Sequence, residues 1–162
     1  MPDKNQKTLN TQDVLSMKGS GYYSKRTAGA KNAIDSIREI LERAMLSLSQ
    51  TEILRFADFG AADGGTSQEL WYNLIKLLRS RGDKRAIEII YTDLASNDFS
   101  TLFKNMQGMR GEKDFAYQRI FDNVFVHGCG TGFHQQLLAA GSLSLGFSAT
   151  AMHYVSEKPC QI

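Results

Sequence analysis

Two aspartates that follow apolar runs, Asp58 and Asp93, are the residues whose type and position favour ligand chemistry. Asp58 leads into Gly60, Gly64 and Gly65, and glycine lets a backbone turn sharply and approach a ligand closely. Asp93 ends the second run, where a carboxylate can accept hydrogen bonds from two neighbouring ribose hydroxyls. A helix cap or turn residue is the alternative for Asp93, but the two aspartates together favour a nucleotide-binding edge.

The spacing of the glycines indicates which nucleotide such a turn would hold. The dinucleotide fingerprint G-x-G-x-x-G requires a glycine where Ala62 stands, which weakens an NAD-linked oxidoreductase as an interpretation. The phosphate-binding pattern G-x-x-x-x-G-K-[ST] fails because Thr66 occupies the lysine position. The remaining pattern, Asp58-x-Gly60-x-x-x-Gly64, resembles the first motif of class I methyltransferases that use S-adenosylmethionine (AdoMet). A turn that is rich in glycine for steric reasons alone is the alternative.

The elements that must position these acids form a strand–helix–strand unit. Apolar runs at 53–59 and 86–92 predict two buried parallel strands. Between them, leucines and a tryptophan at helical spacing predict a helix that begins near Gln68, with Thr66 or Ser67 as its cap. We expect a right-handed connection and a ligand at the carboxyl ends of the strands.

The rest of the chain continues the alternation of helix and strand, which favours a single doubly wound α/β domain over residues 14–162 after a polar tail at 1–13. The further predicted elements are an amphipathic helix from 27 to about 49, a helix starting at 97–99, a strand at 123–128, a short helix at 134–140, a strand at 142–148 and a turn at 150–156.

Composition indicates an ordinary protein without a strong electrostatic partner. The 162 residues are 42% hydrophobic and 22% charged, and 19 basic against 17 acidic residues give a net charge of +2. Neither nucleic acid nor an anionic membrane is therefore expected as a partner, and no stretch is apolar enough for a membrane span or signal peptide. The basic cluster between 79 and 85 fits the end of a helix better than a phosphate-binding patch.

Histidines and cysteines gather in the second half of the chain, but they do not predict a metal site. The spacing of His127, Cys129 and His134, with His153 and Cys160 further on, matches no common zinc pattern. Two cysteines do not make a disulfide framework either. We expect no metal and a reducing, cytoplasmic location.

Five ordered motifs carry a specific resemblance to the SABATH family of AdoMet-dependent carboxyl methyltransferases, and more closely to its microbial members than to its plant enzymes. The motifs are Met17-Lys18-Gly19, Ala57-Asp58-Phe59-Gly60, Asp93-Leu94-x-x-Asn97-Asp98-Phe99, Gly132-Phe133 and Ser148-x-x-x-Met152-His153-Tyr154-Val155-Ser156. The family methylates salicylate, benzoate, jasmonate and indole-acetate on a carboxylate, and xanthine alkaloids on nitrogen. The resemblance covers nearly all of the chain.

The resemblance implies a class I methyltransferase fold, Rossmann-like with a mostly parallel sheet, and AdoMet as cofactor, with S-adenosylhomocysteine (SAH) as product. Asp93 matches the acid on the ribose hydroxyls, and Leu94 matches the neighbour that flanks adenine. Phe133 matches a residue beside adenine, whereas Gly132 replaces the family's serine. The other implied cofactor residues are Lys18, Thr27, Asp58, Gly60, Ala61 and Asp63.

The resemblance also implies which residues meet the substrate. His153 and Tyr154 match a His-Trp pair and are the expected catalytic residues, with Lys18 and Tyr22 beside them. Ala30 falls where plant members have a glutamine that holds the substrate carboxylate. Methyl transfer to an ionised carboxylate needs no base, so His153 and Tyr154 are expected to position the acceptor. For a neutral amine or hydroxyl, His153 could instead act as a base.

Family members are roughly twice as long as this chain, with further strands and a helical cap. The sequence is thus expected to be the N-terminal half of such a protein, and its fourth strand to have an unpaired edge. The leading hypothesis is methyl transfer to a small carboxylic acid. The alternative is a non-catalytic or truncated AdoMet-binding fragment that acts as a homodimeric binding module.

Overall fold

The computed structural model describes residues 28–48, 50–149 and 151. Between residues 28 and 129 helical segments and strands alternate, as the sequence predicts. The elements are α1 (Ala28–Leu46), β1 (Ile53–Phe59), α2 (Gln68–Ser80), β2 (Ala86–Thr92), α3 (Phe99–Met106), a 3-10 turn (Lys113–Phe115), α4 (Tyr117–Ile120), β3 (Val124–Cys129) and β4 (Leu145–Phe147). The predicted tail at 1–13 lies outside the described residues and stays a prediction.

The four strands form one parallel sheet in the order β3-β2-β1-β4. Phe59 at the end of β1 pairs with Thr92 at the end of β2, and Thr92 pairs with Cys129 at the end of β3. The carboxyl ends of three strands therefore meet at one edge. In the described part of the chain β4 pairs only with β1, so it has the free edge that the sequence predicts.

Helices α2, α3 and α4 cover the same face of the sheet. Trp71 of α2 stacks on Phe56 at 5.7 Å between ring centroids and meets Phe147 of β4 edge-on at 6.1 Å. Tyr91 of β2 reaches Tyr117 of α4 and Met106 of α3. Because right-handed crossovers from β1 to β2 to β3 advance in one direction, they place their helices on one face.

The opposite face is crossed by the connection from β3 back to β4, residues 130–144. A Cβ on Gly146 would lie 3.0 Å from the ring of Phe59 and 3.2 Å from Leu143, which places Leu143 on this face. Arg55 and Glu88 form an ion pair here at 2.6 Å. Phe125 of β3 remains 48% exposed, so this face is only partly covered within the described residues.

The prediction of a helix at 134–140 is wrong, and the fourth strand is shorter than predicted. Residues 130–144 contain only turns and irregular backbone, and most of the segment 134–141 is exposed. Seven residues are too few to hold a helix without packing, and Leu137 and Leu138 are adjacent rather than spaced along one helical face. The strand expected at 142–148 pairs only at Leu145–Phe147.

Two short elements between α3 and β3 are absent from the sequence prediction. Gly108 has a φ of 65° soon after α3, and the chain then forms the 3-10 turn and α4. Tyr117, which starts α4, is fully buried. A single aromatic residue in a four-residue helix leaves no periodic pattern that sequence reasoning could detect.

The hydroxyls of Tyr91 and Tyr117 form a buried pair on the face of the sheet that α2, α3 and α4 cover. Their oxygens are 2.7 Å apart, and each hydroxyl also lies 3.0–3.1 Å from the sulfur of Met106. Burial raises the pKa of both phenols well above the usual value, so both stay protonated. Each hydroxyl is therefore closer to the other than to the Met106 sulfur, and the pair is the shorter hydrogen bond.

Replacing one tyrosine of this pair by phenylalanine should lower the free energy of unfolding by about 1 kcal/mol, because the other hydroxyl loses a partner. The double variant Tyr91→Phe/Tyr117→Phe should cost about as much as either single variant, since no unpaired hydroxyl remains. Urea unfolding of all four proteins measures this coupling. Strictly additive costs would contradict the interpretation.

Candidate functional site

The site is built on the turn between β1 and α2, residues 60–67, which we name the β1–α2 turn. The backbone reverses at Gly60, whose φ is 75°. The amides of Gly60 and Ala61 both donate to the carbonyl oxygen of Thr92, at 2.9 and 3.1 Å. The turn is therefore attached directly to the end of the neighbouring strand, as the predicted strand–helix–strand unit requires.

Gly64 allows the β1–α2 turn to lie close to α3. Its φ is 69°, and a Cβ there would lie 3.0 Å from the Met106 methyl group and 3.3 Å from Leu102. Gly60 is more tightly confined, because a Cβ on it would collide with the methyl group of Ala151. The positive φ favours glycine at both positions, and at Gly60 the available space requires it as well.

Asp93 uses both carboxylate oxygens, one to bind the β1–α2 turn and one to bind the backbone that follows β2. Oδ2 accepts a hydrogen bond from the amide of Ala62 at 2.7 Å, and Oδ1 accepts one from the amide of Leu94 at 2.7 Å. The side chain is 4% exposed; burial raises its pKa, and the two amides lower it. Each oxygen has a second lone pair, so the role of a turn residue does not exclude hydrogen bonds from ribose hydroxyls.

Asp58 faces α2 from the neighbouring strand. Its Oδ2 accepts hydrogen bonds from the Ser67 hydroxyl at 2.5 Å and from Trp71 Nε1 at 3.4 Å. Ser67 does stand at the N-cap of α2, but its hydroxyl donates to Asp58 and makes no side-chain cap. The predicted side-chain cap by Ser67 is therefore wrong: the backbone of Ser67 has φ −95° and ψ −5°, a helical conformation rather than the extended one that a capping side chain needs. Burial of Asp58 raises its pKa to about 6.

Two asparagines from the chain after β2 also hold the β1–α2 turn. Asn97 donates from Nδ2 to the carbonyl oxygen of Ala62 at 2.7 Å. Asn105, on α3, donates from Nδ2 to the carbonyl oxygen of Asp63 at 2.9 Å, and Gln68 Nε2 donates in turn to the Asn105 carbonyl at 2.9 Å. These side chains fix the backbone of the turn.

Sequence reasoning missed the contribution of Asn97, Asn105 and Gln68 to the site. In the sequence, Asn97 is recognisable only as part of a predicted helix start and of a family motif, and neither indicates a contact with the turn. Asn105 and Gln68 are buried polar residues on otherwise apolar helix faces, a signal that becomes visible only once those faces are known.

Three of the predicted cofactor residues, Leu94, Gly132 and Phe133, form an apolar surface beside the turn. A Cβ on Gly132 would lie 3.4 Å from Leu94 Cδ2. A Cβ on Gly60 would lie 3.8 Å from the ring of Phe133, which also contacts the His134 imidazole at 4.7 Å between ring centroids. The structure thus brings Leu94, Gly132 and Phe133 to the edge formed by Asp93 and Gly60.

Several predicted site residues lie outside the described residues and stay predictions. They are Lys18, Tyr22, Thr27, His153 and Tyr154. Ala30 belongs to α1. Asp63 lies in the turn, where its Oδ1 accepts a hydrogen bond from the amide of Gly65 at 3.1 Å.

Neither a metal centre nor a membrane span is present in the part of the chain that the structure describes. There, no three side chains among His, Cys, Asp and Glu come together as a set of metal ligands. His127 is exposed on β3, and Cys129 is a free thiol. No helix within these residues combines the length and the apolar character needed to cross a bilayer.

The basic cluster between 79 and 85 is engaged at the end of α2. Arg79 donates to the carbonyl oxygens of Asp83 and Asp122, and Arg85 pairs with the Asp83 carboxylate at 2.6 Å. Arg79 and Arg85 thus stabilise the end of α2 and the start of β2, as predicted.

A parallel sheet in this strand order, with a glycine turn after β1 and an acid after β2, defines a Rossmann-like domain of the class I methyltransferase type. The family model for SAM dependent carboxyl methyltransferases matches residues 11–162. The chain belongs to this family, the SABATH methyltransferases, whose cofactor is AdoMet.

Individual relatives agree with this assignment. The chain is 27% identical over 150 residues to a salicylate/benzoate carboxyl methyltransferase of Arabidopsis thaliana, and 29% identical over 163 residues to a probable 7-methylxanthine methyltransferase of Theobroma cacao. These alignments cover 87% and 91% of this chain, but 39% and 43% of the relatives. The chain therefore spans about two fifths of their length.

A solved structure shows the same fold. Loganic acid methyltransferase with SAH matches with a TM-score of 0.67 at 17% identity, over 88% of this chain and 41% of that protein. At this identity the match establishes the architecture of the sheet and its helices.

Asp58 should make folding depend on pH. Its pKa is about 6 in the folded chain against 3.8 for the free side chain, so the folded chain holds the proton more tightly and loses stability as the pH rises from 4 to 6. The free energy of unfolding of the wild type, relative to Asp58→Asn, should fall by up to about 3 kcal/mol between pH 4 and pH 7. Urea unfolding at each pH measures this difference.

A matched variant tests the cause of this pH dependence. Ser67→Ala removes a hydrogen bond that lowers the pKa of Asp58, so it should increase the total decline and extend it to higher pH. A difference between wild type and Asp58→Asn that stays constant across this pH range would contradict the interpretation.

Proposed function

We propose that this chain is the cofactor-binding part of a methyltransferase that transfers the methyl group of AdoMet to the carboxylate of a small acid. The observation that carries the proposal is Asp93, held between β2 and the β1–α2 turn, with Leu94, Gly132 and Phe133 beside it. Membership in the carboxyl methyltransferase family and the relative named for salicylate and benzoate support the carboxylate acceptor.

The proposed cofactor site follows the strand ends. The remaining lone pairs of the Asp93 carboxylate accept hydrogen bonds from the two ribose hydroxyls, and Leu94 and Phe133 flank the adenine. The backbone of Gly60, Ala61 and Asp63 follows the methionine part of AdoMet, with Asp58 beneath it; Lys18, Thr27 and Gly132 complete the set. This assignment is supported by the short distances among the described members of the set.

The proposed chemistry is an in-line displacement at the methyl carbon of the sulfonium. A carboxylate oxygen forms the new bond to carbon while the carbon–sulfur bond breaks, and the electron pair leaves on sulfur to give SAH. A carboxylate is already ionised near neutral pH, so no base is required. His153 and Tyr154, with Lys18, Tyr22 and Ala30 nearby, position the acid and replace its water shell.

A nitrogen acceptor is the second candidate, favoured by the relative named for 7-methylxanthine, a substrate class that carries no carboxylate. His153 then serves as a base, because a neutral acceptor has a proton to lose.

A non-catalytic binding module is the third candidate. It is favoured by two residues: Gly132 lacks a hydroxyl, and the side chain of Ala30 cannot bind a carboxylate.

We place the protein in the cytoplasm as a homodimer. Size-exclusion chromatography with light scattering on a chain of family length tests the dimer.

SAH should stabilise this chain against heat, whereas NAD should not, because only a ligand of the folded state raises the unfolding midpoint. At one hundred times its dissociation constant the gain is about 2.7 kcal/mol. Asp93→Ala should abolish the shift, and Asp114→Ala, an exposed aspartate in the 3-10 turn, should leave it unchanged. A cooperatively folded wild type that SAH does not stabilise would overturn the assignment of the site.

The acceptor atom is tested with a chain extended to the length of the family and AdoMet labelled in the methyl group. Incubation with salicylate, benzoate or a xanthine should place the label on the acids. Mild base should then release it as methanol, since esters hydrolyse and N-methyl groups do not. Label that resists base would favour the nitrogen acceptor, and no transfer to any compound would favour the binding module.

A further inference from the structure

Ala62 adopts a backbone conformation that its side chain disfavours. Its φ is 49°, in the left-handed region that alanine enters at a cost and glycine enters freely. The residue stands in the middle of the β1–α2 turn, between the amides that bind Thr92 and the glycine that packs on α3. Something outside the residue must therefore hold it in this conformation.

Two side chains hold Ala62 from opposite sides of its backbone. Asp93 accepts from its amide at 2.7 Å, and Asn97 donates to its carbonyl oxygen at 2.7 Å. The amide and the carbonyl of one residue are thus both fixed, which determines the direction of the two peptide planes that meet at Ala62. A relaxed, negative-φ conformation would turn at least one of these groups away from its partner.

The position of Asn97 is itself fixed. Its amide donates to the carbonyl oxygen of Leu94 at 2.9 Å, and the next residue, Asp98, caps α3 by accepting from the amide of Thr101 at 3.0 Å. The side chain of Asn97 therefore projects from a rigid turn toward the β1–α2 turn. No cofactor contact by Asn97 is needed for it to influence the site.

We propose that Asn97 is a positioning residue that holds Ala62 in the left-handed conformation and so preforms the β1–α2 turn for AdoMet. The inference rests on the proposed function of that turn. Without Asn97 the turn spends most of its time with Ala62 relaxed, and only the fraction still in the binding conformation takes up cofactor. The left-handed penalty of alanine corresponds to roughly a tenfold loss of affinity.

A double-mutant cycle tests the mechanism, because glycine at position 62 needs no help to reach a positive φ. Calorimetry measures the dissociation constant of SAH, and urea unfolding measures stability separately. Asn97→Ala should weaken SAH binding about tenfold, Ala62→Gly should leave it within about threefold of the wild type, and the double variant should return to within about threefold.

Asn123→Ala provides the matched control. Asn123 also has a positive φ, of 60°, and also donates from Nδ2 to a backbone carbonyl, that of Lys84 at 3.2 Å. It precedes β3 at the amino end of the sheet, away from the site. Its replacement should lower stability and leave SAH affinity unchanged, which separates a general loss of stability from a loss of positioning.

The outcomes distinguish this inference from the proposal on which it rests. A wild type that binds SAH while Asn97→Ala binds equally well, or an Asn97→Ala loss that Ala62→Gly does not restore, overturns the role of Asn97 alone. A cooperatively folded wild type that does not bind SAH overturns both. If Asn97→Ala does not fold, Asn97→Leu, which keeps the size of the side chain without its donor, is measured in its place with the same expectations.

Discussion

The site depends on the hydrogen bonds between the β1–α2 turn and the carboxyl end of β2. The carbonyl oxygen of Thr92 accepts hydrogen bonds from two amides of the β1–α2 turn, and Asp93 accepts one from a third, so the neighbouring strand holds the turn in addition to its internal bonds. A glycine-rich segment has many accessible conformations, and these bonds select one of them. The conformation of the turn therefore depends on the end of β2 and on the residues that follow it.

The contacts between these strand ends and the turn also give a structural role to the aspartate at each of them. Asp58 lies beneath the turn and binds Ser67 and Trp71 of α2, whereas Asp93 lies beside the turn and binds its backbone. One carboxylate thus links β1 to its following helix, and the other links β2 back to β1. Both are buried, and burial raises the pKa of both. Each aspartate therefore stabilises the fold and also lies at the edge of the sheet where the ligand is proposed to bind.

The elements with continuous apolar patterns were predictable from the sequence, because local composition alone specifies them. β1 and β2 match their predicted limits, and α2 and α3 begin where the sequence predicts. The connection at 130–144 and the short helix at Tyr117 were not, since packing against distant parts of the chain decides their conformation. The site followed the same rule: Asp93 and Leu94 are visible as residues after a strand, whereas the hydroxyl of Ser67 turns toward a carboxylate whose burial only the fold reveals.

The contacts that close the β1–α2 turn span a long stretch of sequence, which affects the order of events during synthesis. Ala151 lies against Gly60, and the Ser148 hydroxyl donates to the carbonyl oxygen of Phe59 at 2.9 Å. Loops of this length close late, after local helices and neighbouring strands have formed. On the ribosome, β1 and β2 can pair while the chain is still growing, but the turn is enclosed only after residue 151 has emerged. In a nascent chain shorter than this, β1 and β2 are paired before the turn is enclosed.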